Sequence, residues 1–92
     1  MINQDQFYSL VDRLLWEEWD PLAVNDHDGA IGEYSGYIPV IVELLKRNAS
    51  AGFIAQHLSE IVTKQMSMWD NPDHNMMIAQ KLKQLWIDEE KA

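Results

Sequence analysis

The stretch that decides the fold class is FYSLVDRLLWEEWDP, residues 7–21 of this 92-residue chain. Its aliphatic and aromatic side chains recur every three or four positions, which is the period of one helix face. The members of this stripe are Phe7, Leu10, Val11, Leu14 and Leu15. Asp20 precedes Pro21, and a residue before proline is pushed out of the helical region. The stretch therefore predicts a first helix over about residues 4–19.

The same spacing predicts three further helices downstream. They cover about residues 37–47, a segment from Ser50 to about Met66, and a segment that begins after Asn71. Ser50 and Asn71 are residue types that cap helix N-termini, and Pro72 fits a first helical position. Period-two alternation is absent from the sequence, so no strand is expected.

The predicted fold is all-α, a single compact four-helix bundle-like domain that covers residues 1–92. Residues 20–36 form a long loop between the first and second helices, and loops of this length often have a function or short structure of their own. The polar end of the chain, residues 88–92, is expected to fray.

Composition excludes several classes of protein. The chain is 47% hydrophobic with four tryptophans, which suffices for a core, and it has no cysteine for a disulfide, a thiolate metal site or a thiol nucleophile. The start of the sequence lacks the basic and apolar regions of a signal peptide, and no apolar run approaches the roughly 20 residues that span a bilayer. We therefore expect a protein of the reducing cytoplasm.

The net charge of −8 is concentrated in the first half of the chain, because residues 1–46 hold nine of the fifteen acidic side chains and two of the seven basic ones. Such a chain is repelled by nucleic acids and by anionic membranes, so neither is an expected partner. The asymmetry has two interpretations, which are solubility and a basic protein partner.

No motif indicates catalysis, a cofactor or a metal. The segment Asn25–Gly29 resembles the start of a calcium loop, but with Gly29 at its sixth position the two essential end positions fall on Val24 and Ser35. The histidines are too far apart in sequence to share a metal on one helix turn. Paired carboxylates at residues 17–18 and at residues 26 and 28 lack the enclosed pocket that acid–base chemistry needs. We expect that the protein is not an enzyme.

The most informative surface pattern lies on the polar side of the first helix. Tyr8, Asp12, Trp16 and Trp19 share one flank at spacings of four, four and three. The preferred interpretation is that the long loop covers Trp16, and the alternative is a binding hot spot, because tryptophan and tyrosine ringed by charge are typical of interface centres. Glu18 falls within the apolar stripe, so either the helix has ended there or the carboxylate is buried and hydrogen-bonded.

A second cluster combines Trp69 with four methionines. These are Met66, Met68, Met76 and Met77. Methionine-rich surfaces can bind adaptable partners, but methionines more often fill core gaps at a helix junction. We interpret the four methionines that flank Trp69 as core filling.

The segment Trp16-x-x-Trp19-Asp20-Pro21-Leu22-x-Val24, followed by Glu33-Tyr34 and an aliphatic helix, resembles a family of small acidic bacterial proteins catalogued as domain of unknown function 1871. The resemblance covers roughly residues 7–66. It implies a compact four-helix fold and no established activity. Ser35 stands where the family has an acidic residue, so an acidic cluster at that point does not carry over.

The leading functional hypothesis is an acidic protein-binding module, most concretely an immunity protein that covers the active site of a basic, nuclease-type toxin. The residues expected to supply the negative field are Asp12, Glu17, Glu18, Asp20, Asp26, Asp28 and Glu33. Trp16, Trp19 and Tyr34 would be the aromatic anchors, with Tyr8 beside them. The alternative is a free-standing structural or regulatory protein, one form of which is a homodimer that joins through Trp16 and the methionine cluster. A small enzyme or cation sensor built on the Asp26–Asp28 loop is a third hypothesis.

Overall fold

The helices occupy most of the chain in a computed structural model that describes residues 3–23 and 32–91. Helix α1 is Gln4–Leu14 and continues in a π-helical turn, Leu15–Trp19. A short 3₁₀ turn, Ser35–Tyr37, leads into α2, Ile38–Lys46. Helix α3 is Ala51–Glu60 and continues in a second π-helical turn, Ile61–Gln65, and α4 is Pro72–Lys91. The described residues contain no strand, and the all-α four-helix prediction is confirmed.

The helix starts follow the expected capping residues. The Ser50 side chain accepts a hydrogen bond from the Phe53 amide at 3.1 Å, and Asn71 accepts one from the His74 amide at 3.3 Å. Each bond satisfies one of the amides that a helix N-terminus leaves without an intrahelical partner. Residues 88–91, which were expected to fray, form the last turn of α4.

The π-helical turn at the end of α1 explains which side chains of that helix are buried. Phe7, Val11, Leu15 and Trp19 are all buried and lie four residues apart. In a regular α-helix, a spacing of four drifts around the axis by about 40° at each step. The wider turn, in which the Asp20 amide donates to the Leu15 carbonyl at 2.9 Å, compensates for this drift. Trp19 therefore faces the core at the point where a regular helix would present Glu18.

Three of the helical segments end on a non-glycine residue in the left-handed conformation. These residues are Asp20, Asn48 and Ser67, with φ of 33°, 58° and 55°. At Asn48 the following amide, of Ala49, donates to the Leu44 carbonyl at 3.0 Å. This 6→1 bond satisfies a carbonyl that the helix end leaves open and turns the chain sharply into α3.

The core lies between all four helices, with the most extensive packing between α3 and α4. Its fully buried aliphatic side chains include Val11, Leu15, Ile41, Ile54, Leu58, Ile61, Ile78 and Leu82. The ring of Phe7 meets the edge of Trp86 with centroids 5.2 Å apart, which joins α1 to α4. Within the described segments, no helix has the length and apolar character needed to cross a membrane.

Candidate functional site

The aromatic side chains at the end of helix α1 belong to the core. Trp19 is 2% exposed, and its indole N–H donates to Asn75 Oδ1 at 2.9 Å. Tyr34 is 1% exposed; its hydroxyl donates to Asp20 Oδ1 at 2.6 Å and accepts from the Leu22 amide at 3.2 Å. The prediction that Trp19 and Tyr34 are surface anchors is therefore corrected, because both rings are covered within the fold.

Trp16 is half-buried, and the chain that follows α1 packs against it. Its ring centroid lies 6.2 Å from that of Tyr34, and Gly32 lines the same shallow depression as Trp16 and Asp12. Tyr8 is likewise half-buried against the core. These contacts agree with the preferred interpretation that the connecting segment covers Trp16.

Several acidic side chains of the first half of the chain are bonded to other side chains of the protein. Glu17 pairs with Arg13 one turn earlier at 3.2 Å, and Glu18 pairs with Lys81 of α4. The Glu18 side chain is 40% exposed, so the alternative of a buried Glu18 is wrong. Asp12 accepts a hydrogen bond from the Ser35 hydroxyl at 3.4 Å.

The remaining acidic residues of the prediction lie apart from this pairing. Asp20 is half-buried and holds the Tyr34 hydroxyl, whereas Glu33 is exposed. Asp26 and Asp28 lie outside the described residues, and so does the Asn25–Gly29 segment tested as a calcium loop. Among the residues that the structure describes, no group of three His, Asp or Glu side chains is placed to hold a metal ion.

A buried amide joins three helices next to Trp19. Asn75 is 2% exposed, and its Nδ2 donates to the Ser59 hydroxyl at 3.0 Å and to Asp70 Oδ1 at 3.1 Å. His74 Nε2 lies 3.1 Å from the Trp19 carbonyl and must donate, since a carbonyl only accepts. Sequence reasoning missed Asn75, although it lies one helical turn before Ile78 and so holds a core position in α4.

The exposed tryptophan of this protein is Trp69, in the connection between the second π-helical turn and α4. Its side chain is 95% exposed, and Met68 and Met77 are 42% and 43% exposed. The interpretation of Met68 and Met77 as core filling is corrected, whereas Met66 and Met76 do pack against the core. The chain has already left the helix at Ser67, so no helix face directs Trp69 inward.

Trp69 lies beside an open pocket of about 320 Å³ at the end of the bundle. The pocket is lined by Trp19, Asp20, Pro21, Val62, Trp69, Asn71, His74 and Asn75. Trp19 and Val62, one residue from each π-helical turn, therefore meet at its wall, and π-helical turns are frequent at functional sites. The surrounding acids Asp70 and Asp73 are exposed.

A second exposed aromatic residue lies at the other end of the same helical segment. Phe53, in the first turn of α3, is 57% exposed, and Val40 of α2 is 49% exposed. Phe53 borders two shallow depressions, one of which also contains Leu44 and Arg47. The lining of these two depressions includes one carboxylate, Glu60, and one guanidinium, Arg47.

No protein-family model, curated protein or solved structure matches this chain. The site is therefore defined by its geometry alone. Its elements are an exposed indole, a pocket with a half-buried carboxylate, and a buried amide network beneath them.

Proposed function

We propose that this protein is an acidic protein-binding module whose partner docks on the surface around Trp69. The observation that carries the proposal is the 95% exposure of the Trp69 side chain. A tryptophan ring offers a large apolar area at low entropic cost, and it is enriched at the centre of protein interfaces. An exposed ring of this size has no stabilising role in the free chain, whereas a partner that covers it removes that area from water.

Charge supports a basic partner. The chain carries −8, and Asp70 and Asp73 lie on either side of the turn that presents α4. Opposite charge on a partner speeds encounter, and the covered aromatic ring slows release. The particular case that we propose to test is an immunity protein of the cytoplasm that covers the active site of a basic, nuclease-type toxin, with no catalysis of its own.

The alternative is a free-standing structural or regulatory protein that forms a homodimer by covering Trp69 with a second copy. Charge disfavours this arrangement, because two copies that each carry −8 would bring like charges together. Sedimentation at low and high salt separates the two cases. A homodimer strengthens as salt screens the repulsion, whereas a complex with a basic partner weakens.

The direct experiment is a pull-down with tagged protein from the native cell at low and high salt, followed by mass spectrometry. Three baits are compared, namely wild type, Trp69→Ala and Phe53→Ala. The second variant removes another exposed ring, from the opposite end of the same helical segment. We expect one basic partner whose capture falls with salt, survives Phe53→Ala and weakens at least about 30-fold with Trp69→Ala, as for an interface hot spot. Equal capture by both variants would refute the assignment of the surface.

A further inference from the structure

The pocket beside Trp69 combines a carboxylate, an exposed aromatic face and a lining without lysine or arginine. Asp20 lines the pocket, and Asp70 lies just outside it, with its Oδ1 bonded to the amide of Asn75. Among the eight residues described around the pocket, none is lysine or arginine. The electrostatic character of the pocket therefore favours a cationic group.

Several polar atoms at the pocket wall are acceptors, among them the carboxylate of Asp20. Asn75 offers no donor to the pocket, because both Nδ2 hydrogens are used on Ser59 and Asp70, while its Oδ1 accepts from Trp19. His74 Nε2–H is used on the Trp19 carbonyl, so this donor is not available to the pocket. A group that enters here needs several N–H donors, a positive charge and a flat surface to lie against the indole.

We propose that this pocket receives an arginine side chain of the protein partner, stacked on the Trp69 ring and facing the Asp20 and Asp70 carboxylates. The inference rests on the proposed function and names the group of the partner that this site recognises. A guanidinium is planar, weakly hydrated and carries five N–H donors, which suits an aromatic face next to carboxylates. A lysine ammonium offers a compact, strongly hydrated charge and gains less from the ring.

The lining also favours a side chain of a polypeptide over a free amino acid. Free arginine brings an α-carboxylate, and the described lining holds no lysine or arginine to pair with it. Negative charge next to Asp20 and Asp70 is unfavourable. Arginine with both ends capped as amides therefore represents the expected ligand better than the free amino acid does.

The test is an NMR titration of the full chain, labelled with ¹⁵N, that follows the indole N–H signals of its four tryptophans. The probes are N-acetyl-arginine amide, its neutral isostere N-acetyl-citrulline amide, N-acetyl-lysine amide and L-arginine. We expect the arginine probe to move the Trp69 signal with a Kd on the order of 1 mM, typical of a single weak contact. The citrulline probe should bind at least about tenfold more weakly, equivalent to 1.4 kcal/mol, with lysine between them and L-arginine no tighter than the capped probe.

Four variants determine where on the protein the arginine probe binds. Trp69→Ala should abolish the shifts of the backbone amides that line the pocket, whereas Phe53→Ala should leave them unchanged. Asp70→Asn should weaken the arginine probe several-fold, and Asp88→Asn, which removes the same charge near the end of α4, should have little effect. Equal shifts with arginine and citrulline, shifts that survive Trp69→Ala, or tighter binding of L-arginine would each overturn the proposal.

The two proposals fail in different ways. If Trp69→Ala abolishes partner capture but the arginine and citrulline probes behave alike, the docking surface stands and the arginine inference falls. If the arginine probe binds as expected but Trp69→Ala leaves partner capture intact, the pocket recognises a guanidinium and the docking surface is refuted.

Discussion

Two tryptophan–aspartate pairs in this protein have opposite environments. Trp19-Asp20-Pro21 closes helix α1, and Trp69-Asp70-Asn71-Pro72 precedes helix α4. Trp19 is 2% exposed and Trp69 is 95% exposed. Trp19 is the last residue of a π-helical turn and faces the core, whereas Trp69 follows the left-handed Ser67 and lies four residues beyond Gln65, where the second π-helical turn ends. The comparison shows that the residue at which a helix stops decides whether a nearby aromatic ring packs in the core or is exposed.

The largest expected effect is the difference between the two tryptophans in stability. Trp19→Ala should lower the free energy of unfolding by about 3–5 kcal/mol, because it opens a cavity in the core and removes a partner of Asn75. Trp69→Ala should change it by less than about 0.5 kcal/mol, as for other exposed positions. Urea unfolding monitored by circular dichroism measures both. A comparable loss in the two variants would show that Trp69 packs in solution.

A substitution of Asn75 tests the buried environment of Trp19. Asn75→Ala should cost about 2–3 kcal/mol, because the Trp19 indole N–H would be left buried without an acceptor. Gln80→Ala, at an exposed position of the same helix, is the matched control and should be near neutral. Both are measured by urea unfolding, and a near-neutral Asn75→Ala would mean that water replaces the lost bonds.

Tyr34 holds the segment that follows Trp19 in place through its hydroxyl group. Tyr34→Phe removes the hydroxyl bonded to Asp20 and to the Leu22 amide, and it should cost about 1.5 kcal/mol. A hydrogen-exchange measurement should show faster exchange of the Leu22 amide in this variant. Unchanged exchange would indicate that the Tyr34 hydroxyl does not hold this segment.

The same tyrosine predicts a dependence of stability on alkaline pH. Burial, together with the hydrogen bond to Asp20, raises the pKa of Tyr34 well above its ordinary value. The unfolded chain therefore loses this proton first, so the folded state binds more protons and its stability falls as pH rises above about 10. Wild type should lose more unfolding free energy between pH 9 and pH 11 than Tyr34→Phe. Parallel pH profiles of the two proteins would contradict the burial of the hydroxyl.

The smallest effect concerns the ion pair beside Trp19. Lys81→Ala breaks the pair with Glu18, whose two side chains are 45% and 40% exposed, so the cost should stay below about 1 kcal/mol. The difference from wild type should disappear in high salt, because exposed charges are screened. Lys46→Ala, on α2, is the control for the change in net charge. A cost that persists in high salt would mean that Glu18 is more deeply buried than in this structure.

Sequence periodicity was sufficient to predict the four helices and most of their ends, because caps such as Ser50 and Asn71 act locally. It was not sufficient for the site. The period of a regular helix places Glu18 on the core side and Trp19 beside it, and only the π-helical turn reverses them. The exposure of Trp69 was not predicted, because composition alone does not distinguish a methionine-rich core junction from an exposed turn. Asn75 alone carried a readable signal, as a polar residue at an apolar position.

The most direct test of the central claim is the solvent exposure of the four indole N–H groups in the free protein, measured as broadening by a soluble paramagnetic agent in NMR spectra. Trp69→Ala identifies its own signal by the one that disappears. We expect the Trp69 signal to broaden most and the Trp19 signal, which is hydrogen-bonded to Asn75, to broaden least. Strong broadening of Trp19 together with protection of Trp69 would contradict the arrangement described, and it would return the binding surface to helix α1.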